Sequence, residues 1–300
     1  MTSTTPMRRR RPLRPQWPAW VLLTPFLAAF VLVFAAPIVY AVVTSLFRTQ
    51  LLTGTVFVGL DNYVRAVGDP KLWQGLTTVL LLLGVQVPIM LGVALGLALA
   101  IDSGRLHGMR FLRISVFLPY AVPAVVSTLI WGFMYSSRYG LIGSLNDALG
   151  LDLPDPLRAD LILASIGNIV TWEFIGYNML IFYSALRIIP RSLYEAAAID
   201  GAGELRLIRS VKLPGIRGAL LVTVVFSIIG SFQLFSEPSI LQGLAPNAIS
   251  SFFTPNLYAF TLSFSGQQIS YASAVSILLG LVTAAIAFAV QARTLRRTDA

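Results

Sequence analysis

Six apolar runs, each long enough to cross a lipid bilayer, dominate the chain: roughly 20–46, 73–101, 114–135, 161–186, 218–242 and 270–292. Spanning the hydrocarbon core takes about 20 mostly apolar residues. Backbone amides there cannot turn to water, so each run is expected to be helical. Charged residues make up 12% of the chain, against roughly 25% in soluble domains, so too little polar surface is left for a water-soluble fold. The expected fold class is an all-α polytopic membrane protein. Its six transmembrane helices occupy residues 20–292, between a basic tail at 1–19 and a short tail at 293–300.

Charge placement orients the spans. Of the 22 lysines and arginines, Arg48, Arg65, Lys71, Arg138 and Arg158 fall on one side. The rest fall on the other, in the N-terminal tail (Arg8, Arg9, Arg10, Arg11, Arg14), the 102–113 loop, the 187–217 loop and the C-terminal tail. Short cytoplasmic loops retain basic residues, so both termini and the 187–217 loop are expected in the cytoplasm. This accounts for the net charge of +9 without a nucleic-acid partner. The apolar stretch from Trp20 to Val43 outruns the 7–15 residues of a signal-peptide core, so the first span is expected to be an uncleaved anchor. On the outer side, residues 136–160 read as a short acidic excursion. Residues 243–269, which carry no charge, read as a loop packed at the membrane surface or at a pathway mouth. Pro88, Pro119, Pro123 and Pro238 predict kinks.

Several chemistries are excluded. The chain has no cysteine, and its one histidine, His107, sits between arginines in a loop and is expected to be solvated. There is no G-x-x-x-x-G-K-[ST] phosphate cradle and no H-E-x-x-H pair, and the Gly-Ala-Gly at 201–203 lacks the strand and third glycine of a dinucleotide site. No enzyme activity, metal site or cofactor bound by this chain is expected.

Polar residues inside the spans are costly and mark cavities or partners. Glu173 in the fourth run and Glu237 near the outer end of the fifth are the two acids. Around them lie Asn168, Trp172, Tyr177 and Asn178, then Phe232, Gln233 and Phe235. Steps of four and five residues put part of the fourth-span set on one helix face. Rings that cover sugar C–H faces, beside amides and carboxyls that meet hydroxyls, suit a polyhydroxylated solute. Interhelical hydrogen bonding is the other reading of each residue.

The stretch "EAAAIDGAGELRLIRSVKLPG" (195–215) lies between the fourth and fifth runs. Pro190 ends the fourth span. Ser192 and Glu195 have capping-box spacing, which predicts a helix over 193–199. Gly201 and Gly203 permit a turn, and a second helix over 204–211 stops at Pro214-Gly215. Leu207, Ile208 and Val211 fall on one face, with Arg206, Arg209 and Lys212 roughly opposite. Such a unit either lies on lipid headgroups or docks in a groove of a cytoplasmic partner. Its small residues keep it slim, which favours docking.

This segment resembles the EAA loop of permease subunits of binding-protein-dependent ABC importers, whose pattern is E-A-A, three residues, G, nine residues, I-x-L-P. Glu195, Ala196, Ala197, Gly201, Leu213 and Pro214 match it in register, with Val211 in the isoleucine position. "FLPYAVPAVVSTLIWGFMYSSRYGLIGSLN" (117–146), "YNMLIFYSALRIIPRSLYEAAAIDGAG" (177–203) and "SYASAVSILLG" (270–280) resemble the carbohydrate-uptake branch. Where that branch often has Gly-Gly-Pro after the fifth span, this chain reads "LQGLAPN" (241–247).

The resemblance implies the type I importer permease fold with a cytoplasmic coupling helix. Glu195, Ala196, Ala197, Asp200, Gly201, Ala202, Gly203, Leu213 and Pro214 would meet an ATPase dimer that uses ATP and Mg. It also implies a second permease chain, an extracellular solute-binding protein and a bacterial or archaeal cell membrane. The implied function is half of a sugar translocation pathway working by alternating access. Import of a polyol or glycerol phosphate ester is the alternative within the class. Proton-coupled secondary transport through Glu173 and Glu237 is the alternative outside it.

Overall fold

The computed structural model describes residues 17–50, 54–104, 108–137 and 139–296. The basic tail, Arg105, His107, Arg138 and the last residues of the C-terminal tail lie outside these. The first span comprises α1 (Trp17–Phe30), a π-helical turn (Val31–Ala35) and α2 (Ala36–Ser45). Its described side chains are exposed or half-exposed up to Ser45, so the chain's own core leaves this span to its surroundings. Helix α2 leans on the last span.

The connection after the first span departs from a purely helical reading. A hairpin of β1 (Phe47–Gln50) and β2 (Gly54–Phe57) pairs Phe47 with Phe57, their rings 5.4 Å apart. It leads into α3 (Asp61–Val67), whose buried Asn62 donates to the carbonyls of Ser45 (2.8 Å) and Phe47 (2.7 Å). Asp69 caps α4 (Pro70–Asp102), the second span, which Pro88 leaves unbroken.

The third run does not form one straight helix. It divides into α5 (Met109–Phe117), a 3-10 turn (Leu118–Ala121) and α6 (Ala124–Tyr135), with a bend of 100° between the halves. Pro119 and Pro123 lack N–H donors, and a residue before proline avoids helical angles. Val122 accordingly sits at φ −81°, ψ 129°. The acidic excursion holds α7 (Leu141–Leu149), and the fourth span is α8 (Ile162–Leu186). Helices α4 and α8 form the broadest helix–helix contact, around Met90, Ala94, Met179 and Phe182. Gly176 lets α8 approach the α5 end so closely that a Cβ there would stand 2.0 Å from the Val116 carbonyl oxygen.

After α8 come α9 (Arg191–Ile199), α10 (Glu204–Leu207), a π-helical turn (Ile208–Lys212) and α11 (Leu213–Gly215). The second helix thus runs past 211 to 215. Its π-helical turn re-spaces the hydrogen bonds ahead of Pro214, which supplies no N–H. A 66° bend then starts α12 (Arg217–Phe232).

The fifth run is also interrupted. Gln233, Leu234 and Phe235 leave the helix, with Phe235 at φ −143°, and α13 (Ser236–Leu244) starts anew. Pro238 lies in the first turn of α13, where a missing N–H costs nothing, so it opens a helix instead of kinking one. The uncharged stretch contains α14 (Pro255–Phe264), capped by Thr254, whose hydroxyl accepts from Leu257 N–H (3.3 Å) and donates to the Leu234 carbonyl (3.0 Å). The last span is α15 (Ile269–Arg296). Among the described residues four helices are long and apolar enough to cross a membrane, and six spans result if each bent pair counts as one.

At the α4 N-terminus the Asp69 carboxylate accepts from the Tyr258 and Tyr271 hydroxyls, each at 2.6 Å, tying α4 to α14 and α15. Arg65 lies 3.9 Å over the Tyr271 ring and donates to Gln268 (3.0 Å). Burial opposes ionisation of Asp69, but the two tyrosine bonds and the Lys71 N–H outweigh it and hold the carboxyl below its ordinary range. Burial and the same carboxylate push Tyr258 up to about 12, so its hydroxyl stays a donor.

Candidate functional site

Both helix breaks face one cavity of about 460 Å³, within the range of small-molecule pockets, roughly 300–1,000 Å³. Its walls come from α4, the 3-10 turn, α8, α12, the 233–235 break and α13. Aromatic cover is given by Tyr120, Phe174, Tyr177, Phe226 and Phe235. Tyr120 and Tyr177 stack with centroids 4.8 Å apart, and Phe174 meets Tyr120 edge-on at 5.9 Å. The polar groups are Gln86, Asn178, Gln233, Glu237 and serine hydroxyls of α12 and α13. Gln86 donates to Thr171 (3.1 Å), and Asn178 donates to the Phe174 carbonyl (2.9 Å), so packing and hydrogen bonds fix both amides.

Of the residues singled out in the sequence, Tyr177, Asn178, Gln233, Phe235 and Glu237 line this cavity. Four do not. Asn168 donates to the Tyr135 hydroxyl (2.8 Å), and Trp172 stands edge-on to Trp131 at 5.9 Å. Phe232 is 1% exposed and packs with Val79 and Ile228, because α12 turns that face inward before it breaks. Glu173 lies behind the wall, accepts from the Ser127 hydroxyl of α6 and shares a hydrogen bond with Glu237. Two carboxylates at hydrogen-bond separation would repel by roughly 5 kcal/mol at about 3 Å and an effective dielectric constant of about 20. A hydrogen bond between two carboxyls requires a proton, so at least one of the two is protonated.

Among the wall residues that escaped the sequence reading, Gln86 and Tyr120 had a signal. Gln86 is the one amide well inside the second apolar run, so the rule applied to the fourth and fifth spans would have found it. Tyr120 sits between Pro119 and Pro123, and an aromatic between two helix breakers was a signal that this ring leaves the span.

The α9–α11 segment projects beyond the α4 end marked by Asp102. Helix α9 begins at Arg191 behind Pro190, which has no side-chain acceptor, and no side-chain cap bond forms. Ser192 is already inside the helix, so the predicted capping box is absent. The C-terminal end matches expectation. Gly201 has φ +68°, its N–H bonds Ala198 O (3.1 Å), and Ala202 N–H bonds Ala197 O (2.9 Å). This is a Schellman turn, and it needs a residue at ease with positive φ.

Glu195, Ala196, Asp200, Gly201, Gly203 and Pro214 are exposed, while Ala197, Ala202 and Leu213 are half-buried. Leu193 (50%), Ile199 (87%) and Leu205 (62%) present exposed apolar side chains. The basic face is smaller than predicted. Arg206 and Arg209 are exposed, but Lys212 is buried and its Nζ donates to Asp102 Oδ2 at 2.7 Å. The π-helical turn shifts the register by which Lys212 was placed outward. Tyr194 is half-buried nearby, and burial followed by the Asp102 charge raises its pKa.

The sequence pattern of the family described as "Binding-protein-dependent transport system inner membrane component" matches residues 92–298. The chain is 32% identical over 255 residues to the diacetylchitobiose uptake system permease protein of Streptomyces coelicolor, covering 79% of this chain and 71% of that protein. It is 32% identical over 281 residues to the lactose transport system permease protein of Rhizobium radiobacter, covering 90% and 91%. It also resembles the trehalose transport system permease protein of Mycobacterium tuberculosis, 30% identical over 275 residues and covering 90% and 86%. Its fold is similar to a chain in the crystal structure of a bacterial ABC transporter involved in the import of the acidic polysaccharide alginate. There the TM-score is 0.82 at 19% identity, over 94% of this chain and 96% of that one.

Proposed function

Because the chain belongs to the family of binding-protein-dependent transport system inner membrane components, we propose that it is the membrane permease subunit of an ATP-driven sugar importer, forming half of the translocation pathway. It is a multi-pass membrane protein and not itself an enzyme. The observation that carries the reading is the α9–α11 segment, which holds Glu195, Ala196 and the Gly201 turn out from the bundle with three exposed apolar side chains. That surface fits a groove on a partner protein.

In this reading the partner is a cytoplasmic ATPase dimer, which binds the ATP and Mg. The α9–α11 segment and both termini then lie in the cytoplasm, as the basic-residue excess favours. Glu195 meets a basic group of the ATPase, Ala196 allows close approach, and Asp200, Gly201, Ala202 and Gly203 set the turn. Leu213 and Pro214 join the segment to α12. Lys212–Asp102 fastens it to α4, so movement of the docked segment reaches α4 and α12 together. A second permease chain completes the pathway, and an extracellular solute-binding protein delivers the solute.

Relatives named for lactose and trehalose transport support a sugar, as does a cavity that joins stacked tyrosines to amides and a carboxyl. A glycerol phosphate ester would call for a cation, and no lysine or arginine lines the cavity among the described residues.

The test is uptake of labelled sugar into right-side-out or reconstituted vesicles that hold the assembled importer, with ATP inside and binding protein outside. Uptake that follows ATP hydrolysis and survives a protonophore is expected. Uptake that a protonophore abolishes with ATP held constant would overturn the reading in favour of proton coupling.

A further inference from the structure

Helix α14 carries a ridge that continues the cavity wall. Asn256, Phe260 and Phe264 recur at four-residue steps, so they share one face of the helix. The opposite face, with Leu257, Tyr258 and Leu262, is buried. Two hydrogen bonds fasten the start of α14 to the 233–235 break: Asn256 donates to the Gln233 carbonyl (3.1 Å), and Thr254 donates to the Leu234 carbonyl (3.0 Å). Phe235, which lines the cavity, meets Phe260 with ring centroids 4.9 Å apart, and Phe260 meets Phe264 at 4.6 Å. The rings are tilted by 54° and 35°, and Phe260 and Phe264 are 42% and 71% exposed, so ring surface remains open along the row. The Tyr258 bond to Asp69 puts this row at the start of α4, whereas the α9–α11 segment is tied to the other end of α4 at Asp102.

A helix that lies on lipid headgroups carries Lys or Arg on its polar face, and residues 243–269 have neither. The row is instead continuous with the cavity through Phe235, and it repeats the cavity's own chemistry of rings beside an amide. A ring has an electron-rich face, which suits sugar C–H groups made partly positive by the adjacent oxygens. Passage along a pathway needs several weak contacts in series, so that the solute meets the next before it leaves the last. A row of rings on one wall meets that need without help from the facing wall. We propose that Phe264, Phe260 and Phe235 form an aromatic track that carries sugar into the cavity from the end of the bundle opposite α9–α11. The proposal rests on the sugar-import reading and adds to it the route of entry and the residues that line it.

The experiment measures uptake of labelled lactose, trehalose and diacetylchitobiose, the sugars for which three relatives are named. The assembled importer is held in reconstituted vesicles with ATP inside and binding protein outside. F260L/F264L keeps the ridge apolar and removes its rings, whereas F260Y/F264Y keeps the rings. For a sugar that the wild type imports, the leucine variant is expected to be about tenfold slower. The tyrosine variant should stay within about twofold of wild type. Uptake by the leucine variant at the wild-type rate, or equally slow uptake by both variants, would overturn the track while leaving sugar import standing. A leucine variant that no longer assembles with the second permease chain, followed by size-exclusion chromatography, would also overturn it and mark the ridge as a contact between chains. Import of none of the three sugars by the wild type would overturn the sugar reading itself, and the track with it.

Discussion

Replacing Lys212 with methionine keeps the length of the side chain and removes its charge. In the wild type Nζ lies 2.7 Å from Asp102 Oδ2, with the two side chains 5% and 9% exposed. Removing one partner of a buried pair strands the other and costs about 3–5 kcal/mol. The low end applies here, because Asp102 ends α4 and a small movement would expose it to solvent. At about 3 kcal/mol the detached state of the segment gains roughly 150-fold in population, at 1.4 kcal/mol per factor of ten.

Amide hydrogen exchange reads this directly, since local opening sets protection. Protection of the 204–216 amides in purified protein is therefore expected to fall by about two decades in K212M, with α8 unchanged. In K212M/D102L the stranded carboxylate is gone, and replacing a whole buried pair with apolar groups is often neutral. The double variant should recover most of the protection. Protection in K212M within about threefold of wild type would refute the view that this pair holds the segment. A double variant worse than either single would refute the assignment of the loss to an unpaired buried charge.

Further outcomes follow from other contacts. Glu195→Ala is expected to abolish sugar-stimulated ATPase activity of the assembled importer while shifting the melting free energy by less than about 0.5 kcal/mol, as for an exposed residue with no cap role; unchanged coupling would sink the docking role. Gly176→Ala forces a Cβ against the Val116 carbonyl, so α8 and α5 must separate at a cost of about 1–3 kcal/mol or more. A thermal melt of that variant in detergent should show a clear loss. The Asp69 carboxyl titrates below its ordinary range, so its contribution is present above about pH 4 and is lost as pH falls through the folded value. Melting curves between pH 7 and pH 3 should therefore converge for wild type and Tyr258→Phe at the acidic end, and curves that stay parallel would contradict the bond.

The α9–α11 segment shows how much of a site can be legible. The Gly201 turn was readable because a positive φ is a local demand that glycine meets in any context. The exposure of Glu195 and Ala196 followed from a short polar stretch between spans. The capping box was not realised, since Pro190 started the helix two residues early and placed Ser192 inside it. Lys212 was assigned to the basic face by regular helical rotation, and the π-helical turn broke that regularity. The cavity was half legible. Polar residues within apolar runs flagged Tyr177, Asn178, Gln233 and Glu237, whereas Phe232 was flagged by proximity in sequence and belongs to the core.

The sequence by itself determined which stretches are apolar enough for a bilayer, because transfer from water to lipid is nearly additive along the chain and needs no knowledge of neighbours. It likewise determined the glycine turn at Gly201, which depends on a few adjacent residues. Only the tertiary structure decided where the third and fifth runs break, which way Tyr120 and Phe235 turn, that Lys212 reaches back to Asp102, and that Glu173 and Glu237 form one pair. Each of these depends on the direction of a bend and on a partner distant in sequence. A prolyl break is written in the chain, but its direction is set by what packs on either side.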